Sequence, residues 1–267
     1  MAPLIKLRIV SAAVAVLACA FCLPAHAANI LNGGFELGFS GWTRVDQLGS
    51  EGTFALQTGT TSPVNLDPVP APPQGLTAAM TDAQGPGSHV LYQNFTVTGV
   101  AGPTTLNFSL FIGNRDTAFF TPSTLDFSTP ALNQRARVDI LAGGTDPFSI
   151  AASDVLLNAY QTLPGDALVS GYTNFSVDVA ALLNAHIGET LRLRFSEVDN
   201  VSIFQFGVDN VSFAIPAAVP EPSSGVLVMG GLVGLALFAG RRRMRSALLT
   251  QAEAHSGLST SLAYDDA

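Results

Sequence analysis

Thr105-Leu106-Asn107-Phe108-Ser109-Leu110-Phe111-Ile112 sets Leu106, Phe108, Leu110 and Ile112 at every second position. Successive side chains of an extended strand point to opposite faces, so these four share one face while Asn107 and Ser109 take the other. The period recurs further along. Ala136, Val138 and Ile140 alternate with Arg135, Arg137 and Asp139, and Leu191, Leu193 and Phe195 alternate with Arg192 and Arg194. Strict alternation buries one face and leaves the other wet, the pattern of antiparallel sheets packed as a sandwich. Further strands are predicted over 41–45, 53–57, 76–80, 89–97, 173–179 and 208–213. The abundance of Asn, Thr, Ser, Gly and Phe suits short strands joined by turns. The expected fold class is therefore all-β, an antiparallel β-sandwich over residues 28–218.

Two stretches read as short helices, 153–162, where Ser153 or Asp154 could cap, and 179–185. The proline-rich loop 58–74 (Pro63, Pro68, Pro70, Pro72, Pro73) reads as an exposed insertion with restricted freedom. The loop 113–133 carries Phe119, Phe120, Leu125 and Phe127, which are expected to pack over one end of the sandwich. Val198-Asp199-Asn200-Val201-Ser202 is echoed by Val208-Asp209-Asn210-Val211-Ser212. The echo reads as the turn and start of two consecutive antiparallel strands.

The two ends specify traffic. Lys6 and Arg8 precede an uncharged run over 9–23, then Pro24 and Ala25-His26-Ala27. This is the plan of a secretory signal peptide over 1–27, cut by signal peptidase so that the mature chain begins at Ala28. Val16-Leu17-Ala18-Cys19 offers the rival reading of a lipoprotein signal. Both cysteines, Cys19 and Cys22, fall inside the segment. The mature chain then has no thiol, which excludes disulfides, cysteine nucleophiles and thiolate metal sites. At the other end Val219-Pro220-Glu221-Pro222-Ser223-Ser224 leads into an apolar stretch over 225–240 that stops at Arg241-Arg242-Arg243. Arginines are costly in hydrocarbon, so the tail reads as a transmembrane helix with a stop-transfer cluster. The rival reading is a buried soluble helix, since the stretch is shorter than the roughly 20 residues that span a bilayer. Its five glycines and all-round apolar character speak against that. The extension over 246–267 is expected to be disordered and, by the positive-inside rule, cytoplasmic.

Composition narrows the chemistry. The chain carries 20 acidic residues against 12 lysines and arginines, a net charge of −8. Between the two ends the positive residues are Arg44, Arg115, Arg135, Arg137, Arg192 and Arg194, too scattered for a phosphate-neutralising patch, so nucleic acid is excluded as a partner. Lys6 is the only lysine, and the signal peptide carries it away. Schiff-base chemistry and a P-loop are thereby excluded. His89 and His186 are the histidines available to an external site, with no pair at zinc spacing and no Gly-x-Ser-x-Gly elbow. His186 reads as a helix C-terminal residue and His89 as the start of a strand.

The tail resembles the PEP-CTERM sorting signal over 219–245: the motif Val219-Pro220-Glu221-Pro222, a membrane helix and the Arg241, Arg242, Arg243 cluster. That resemblance implies an exosortase-type enzyme that cuts near Pro220-Glu221-Pro222, with membrane anchoring before processing and the cell surface or exterior after it. The chain departs from the family pattern by continuing well past the basic cluster. Asn29-Ile30-Leu31-Asn32-Gly33-Gly34-Phe35-Glu36 and Gly38-Phe39-Ser40-Gly41-Trp42 look like the opening of secreted jelly-roll modules of the galactose-binding and carbohydrate-binding type. Gly207-Val208-Asp209-Asn210-Val211-Ser212-Phe213 looks like their last strand. In those modules the first and last strands are neighbours and a carboxylate from each helps hold a structural calcium; the matching residues are Glu36 and Asp209. Asp209, read as sharing a face with Val211 and Phe213, would also need pairing or a metal to offset desolvation, and hard oxygen ligands suit calcium. The alternative is that Asp209 accepts turn hydrogen bonds and Glu36 is wet.

Trp42, the only tryptophan, is the natural candidate for stacking on a sugar, although the resembling modules bury theirs. The expected function is a non-catalytic exported protein of the cell envelope or an extracellular polysaccharide matrix, with no required cofactor. The alternatives are a carbohydrate-binding module with a defined glycan, and thirdly a secreted hydrolase.

Overall fold

The computed structural model describes residues 29–99 and 102–214. The signal peptide (1–27), the sorting tail (219–245) and the extension (246–267) lie outside the described residues. In chain order the elements are β1 (Thr43–Asp46), β2 (Phe54–Thr58), β3 (Thr77–Thr81), β4 (Gly87–Thr96), β5 (Thr105–Asn114), β6 (Gln134–Ala142), β7 (Val155–Gln161), β8 (Thr173–Asp178), α1 (Ala180–Ala185), β9 (Thr190–Asp199) and β10 (Phe204–Ala214). They form two five-stranded antiparallel sheets, a first of order β1-β4-β9-β6-β7 and a second of order β2-β3-β10-β5-β8. Among the described residues no helix is long and apolar enough to cross a membrane.

The period-2 stripes meet in the middle. Leu91, Phe95, Ala136, Val138, Ile140, Leu191, Leu193 and Phe195 from the first sheet face Phe54, Ala79, Leu106, Phe108, Leu110, Ile112, Phe206 and Val208 from the second. Phe195 joins the layers, its ring 6.0 Å from Phe108 in an edge-on contact and 5.9 Å from Trp42. Each such buried side chain contributes about 1.5–3 kcal/mol relative to exposure. Phe119 and Leu125 of the 113–133 loop are buried as expected, Phe119 against Phe204.

Four expectations need correction. Residues 153–162 do not form a helix: Val155–Gln161 is the edge strand β7, paired with β6 through two register shifts. Local helix propensity is a weak prior, and a free sheet edge with Tyr160 packing on Phe175 overrides it. The arginine face of β6 and β9 is not wet either, because all but the last residue of β6 are buried. Chain segments fold over that face, with Arg194 donating to Pro147 O (2.7 Å) and Ser149 O (2.6 Å), Arg192 to Thr145 O (2.7 Å), and Arg135 to Thr124 O.

The internal echo is not a hairpin. Its first copy ends β9 in the first sheet and its second lies inside β10 in the second sheet. Finally, β1 and β10 belong to different sheets, so the first and last strands are not neighbours. The segment before β1 lies on β10 instead, where Val211 N donates to Gly33 O at 3.0 Å. A Cβ on Gly33 would stand 1.8 Å from Val211 O, so only glycine permits this approach. The 58–74 loop is also less free than a bare insertion. Thr61 bridges Pro68, Val69 is buried with Met80 and Phe111 of the second sheet with Tyr172 packed against them, and Asp82 Oδ2 accepts the Val64 and Asn65 amides at 2.7 Å.

Candidate functional site

Glu36 and Asp209 are brought to one loop. Asp209 Oδ2 accepts the Gln74 amide (3.0 Å), and Glu36 Oε1 accepts the Leu76 amide (2.8 Å), the Thr77 amide (2.9 Å) and the Thr77 hydroxyl (3.0 Å). The two carboxylates therefore hold residues 74–77 from either side. Backbone donation from Leu76 and Thr77 lowers the pKa of exposed Glu36 below the ordinary carboxylate range. Asp209 behaves oppositely. Burial pushes it up to about 6, the Gln74 and Asn210 amides oppose that rise, and the negative charge of Glu36 adds to it.

Asp209 does not reach this position by pointing into the core. Phe204, Phe206 and Val208 take the inward positions of β10, and the register then shifts between Asp209 and Ser212, with Asn210 at φ 54°. The bulge returns Val211 to the core and leaves Asp209 on the outer face with Gln205 and Gly207. It is fully buried there all the same.

The donors around this point are oxygens throughout. The Gln74 side-chain oxygen and Asp209 Oδ1 both lie beside Gly34, whose carbonyl receives the Thr77 hydroxyl at 3.4 Å. A buried carboxylate whose charge Glu36 disfavours, with amide and carbonyl oxygens alongside, offers hard oxygen ligands of the kind calcium takes. The hydrogen bonds described above also satisfy these groups in its absence.

Trp42 is buried, tilted against Phe35 (5.3 Å between ring centres), and its indole N–H donates to Asn32 O at 3.1 Å. It is a core residue. The tyrosines are engaged too: the Arg192 guanidinium lies 4.0 Å over the Tyr92 ring, and the Tyr172 hydroxyl donates to Gln57 Oε1 at 2.6 Å. His186 caps the end of α1 and pairs with Glu189 at 2.9 Å. An open cleft of about 520 Å³ is lined by Phe39, Trp42, Thr43, Arg44, Asp46 and Thr53, with the Arg44 guanidinium 4.4 Å above the Phe39 ring. Sequence reasoning assigned no role to Phe39 or Arg44, whose proximity depends on a turn between them. It also passed over Glu197 and Asp199, which meet His89 inside the sandwich.

Among curated proteins none matches the chain. Solved structures of similar fold include TmCBM61 in complex with β-1,4-galactotriose, at 13% identity and a TM-score of 0.39, covering 69% of this chain and 96% of that one. The K3 cleaved adhesin domain of Lys-gingipain from Porphyromonas gingivalis W83 is similar at 15% identity and a TM-score of 0.42, covering 70% and 98%. Carbohydrate-binding modules of the β-sandwich superfamily are similar at 15% identity and 0.39, covering 68% and 60%. At such identities the likeness concerns the sandwich and not its ligands. Beyond the described domain a family model does match, and it establishes what the tail is: residues 218–243 are a PEP-CTERM protein-sorting motif.

Proposed function

We propose that this chain is an exported, non-catalytic β-sandwich protein of the cell envelope or an extracellular polysaccharide matrix, anchored by its tail until an exosortase-type enzyme processes it. The sorting motif at 218–243 carries the reading, because that motif implies processing by an exosortase. A lysine-free, thiol-free domain supports the non-catalytic part. Expression of the full-length chain with its cognate exosortase should yield a shortened, released form. Glu221→Ala should leave the tail attached and the protein in the membrane fraction. Equal release of wild type and variant would sink the reading.

A carbohydrate-binding module is the second reading, favoured by the open cleft in which the Phe39 ring and the Arg44 guanidinium stack beside Thr43, Asp46 and Thr53. Flat apolar faces flanked by polar edges suit sugar rings. Saturable binding of one glycan to the full-length protein would place it first, whereas self-association without glycan binding favours the matrix role.

Calcium belongs to the same proposal as a structural ion. Glu36 and Asp209, with the Gln74 and Gly34 oxygens, would hold it, and it would neutralise the two acids and fix residues 74–77 to β10. Calcium at a hundred times its Kd should stabilise the fold by about 2.7 kcal/mol, a Tm rise of roughly 5–10 °C for a domain this size. Glu36→Gln should abolish the rise. An unchanged Tm in the wild type would leave Glu36 as a loop clamp alone.

A further inference from the structure

The alternation of β9 does not stop at Phe195. Glu197 and Asp199 continue the inward face set by Leu191, Leu193 and Phe195, so two acids enter the interior where the pattern calls for apolar side chains. Register places His89 directly opposite Glu197 and Gly87 directly opposite Asp199 on β4. Nitrogen or oxygen atoms of His89, Glu197 and Asp199 lie within 4.8 Å of one another, and all three residues are buried. Glu197 is 1% exposed, and its Oε1 has no hydrogen-bond partner.

Each neighbour has a definite place. His89 Nδ1 lies 2.7 Å from Asp46 Oδ1. A carboxylate only accepts, so Nδ1 carries the proton and a neutral ring keeps its Nε2 lone pair free. That nitrogen faces Gly87, where a Cβ would stand 2.3 Å from it; glycine is what makes room for the ring. The Gly87 amide donates to Asp199 Oδ1 at 2.8 Å. Asp199 also lines a cavity of about 110 Å³ with Gln84, Gly85, Pro86, Val201 and Ser202, which gives the cluster a route to solvent and room for water. Burial is the main force raising the pKa of both acids, and Glu197 is pushed further by Asp199. Two buried carboxylates in one pocket are relieved by a proton or by a cation, and the free imidazole nitrogen beside them suits a cation.

We propose that His89 Nε2, Glu197 and Asp199 form a binding site for a divalent first-row transition cation of the zinc class, with Asp46 as the residue that positions His89. One imidazole nitrogen and two carboxylates make a borderline donor set, unlike the all-oxygen set at Glu36 and Asp209. Tetrahedral ligands about 2.0–2.2 Å from zinc lie roughly 3.3–3.6 Å apart, so from spacings of up to 4.8 Å the three side chains would close by about 1 Å on binding. The Asp46–His89 hydrogen bond is the usual arrangement behind a metal-bound imidazole. The remaining coordination position opens toward the cavity through Asp199.

The test uses full-length protein in mild detergent, stripped with a chelator and then kept in excess calcium so that oxygen-only sites are filled. Titration with zinc chloride should show one site per chain. Glu197→Gln and Asp199→Asn should each weaken binding at least tenfold, and Asp46→Asn should weaken it roughly 10- to 100-fold. His186→Ala, which removes the surface histidine, should change nothing. Replacing zinc with cobalt should give visible d–d absorption, lost in Glu197→Gln. Melting curves without metal establish that each variant is folded, and neutralising a buried acid should not lower them. Absence of a zinc site in the wild type overturns the proposal, as does binding that survives Glu197→Gln and Asp199→Asn but disappears with His186→Ala. Should Glu197→Gln fail to fold, Asp199→Asn and the wild-type cobalt spectrum decide, and a colourless cobalt form sinks the site.

Discussion

Asp139→Ala is expected to lower the free energy of unfolding by about 3–5 kcal/mol, because it strands two buried guanidinium groups. Asp139 and Arg194 have no side-chain exposure and Arg137 has 10%. Arg194 reaches Asp139 Oδ2 at 2.5 Å, and Arg137 reaches Oδ1 at 2.6 Å and Oδ2 at 3.1 Å, while Asn158 donates to Oδ1 at 2.8 Å. Arg194 further spans to the carbonyls of Pro147 and Ser149, so this one carboxylate fixes both the β6–β9 pair and the segment above it. Burial alone would raise the pKa of Asp139, and the two arginines outweigh it and hold it below the ordinary 3.8. A carboxylate depressed in the folded state contributes its stabilisation above the unfolded value and loses it as pH falls through the folded one. The contribution should thus be complete at neutral pH and fade only in strong acid. Denaturant titration of the variant beside Arg115→Ala supplies the comparison, since the exposed Arg115–Asp67 pair contributes at most about 1 kcal/mol. Equal losses in the two variants would show that the buried network carries no special weight.

That network also marks the limit of what alternation could reveal. Leu106, Phe108, Leu110 and Ile112 gave the sandwich, because a period of two has one physical solution. The same period set Arg135, Arg137, Arg192 and Arg194 on the opposite face, and nothing local indicates that residues 143–154 and 124 would cover it. β7 was missed for a related reason: Leu156-Leu157-Asn158-Ala159 suits a helix in isolation and becomes a strand only against the edge of β6. The bulge at Asn210 depends on pairing between β10 and β5, so the face taken by Asp209 was beyond sequence reasoning, although its proximity to the Glu36 loop was not. Glu197 and Asp199 are different. Their positions two and four after Phe195 continue a face already identified as inward, and acids on such a face were a legible signal. Only the register that sets His89 opposite them required the structure.

Trp42→Ala should cost about 3–5 kcal/mol, the range for removing a buried aromatic from a packed core. The ring is 7% exposed and sits between Phe35 and Phe195, so its loss opens a cavity where the N-terminal segment meets the first sheet. It also removes the indole donor to Asn32 O. Asn32 in turn holds the turn ahead of β1 through bonds to Gly38 O and Ser40 O and from the Leu37 amide, so the damage should spread to Glu36 and weaken any calcium-dependent rise in Tm. A tryptophan serving as a sugar platform would behave otherwise, with ligand affinity falling while the melting curve stayed in place. Chemical denaturation of the two proteins separates the cases, and with a single tryptophan in the chain the wild-type emission reports directly on this packing. A variant as stable as the wild type would make Trp42 a part of the cleft wall beside Phe39 and Arg44 rather than a core residue. The geometry argues against that outcome, because the polar edge of the indole is turned to Asn32 and the ring packs against Phe35 and Phe195 with 7% of the residue exposed.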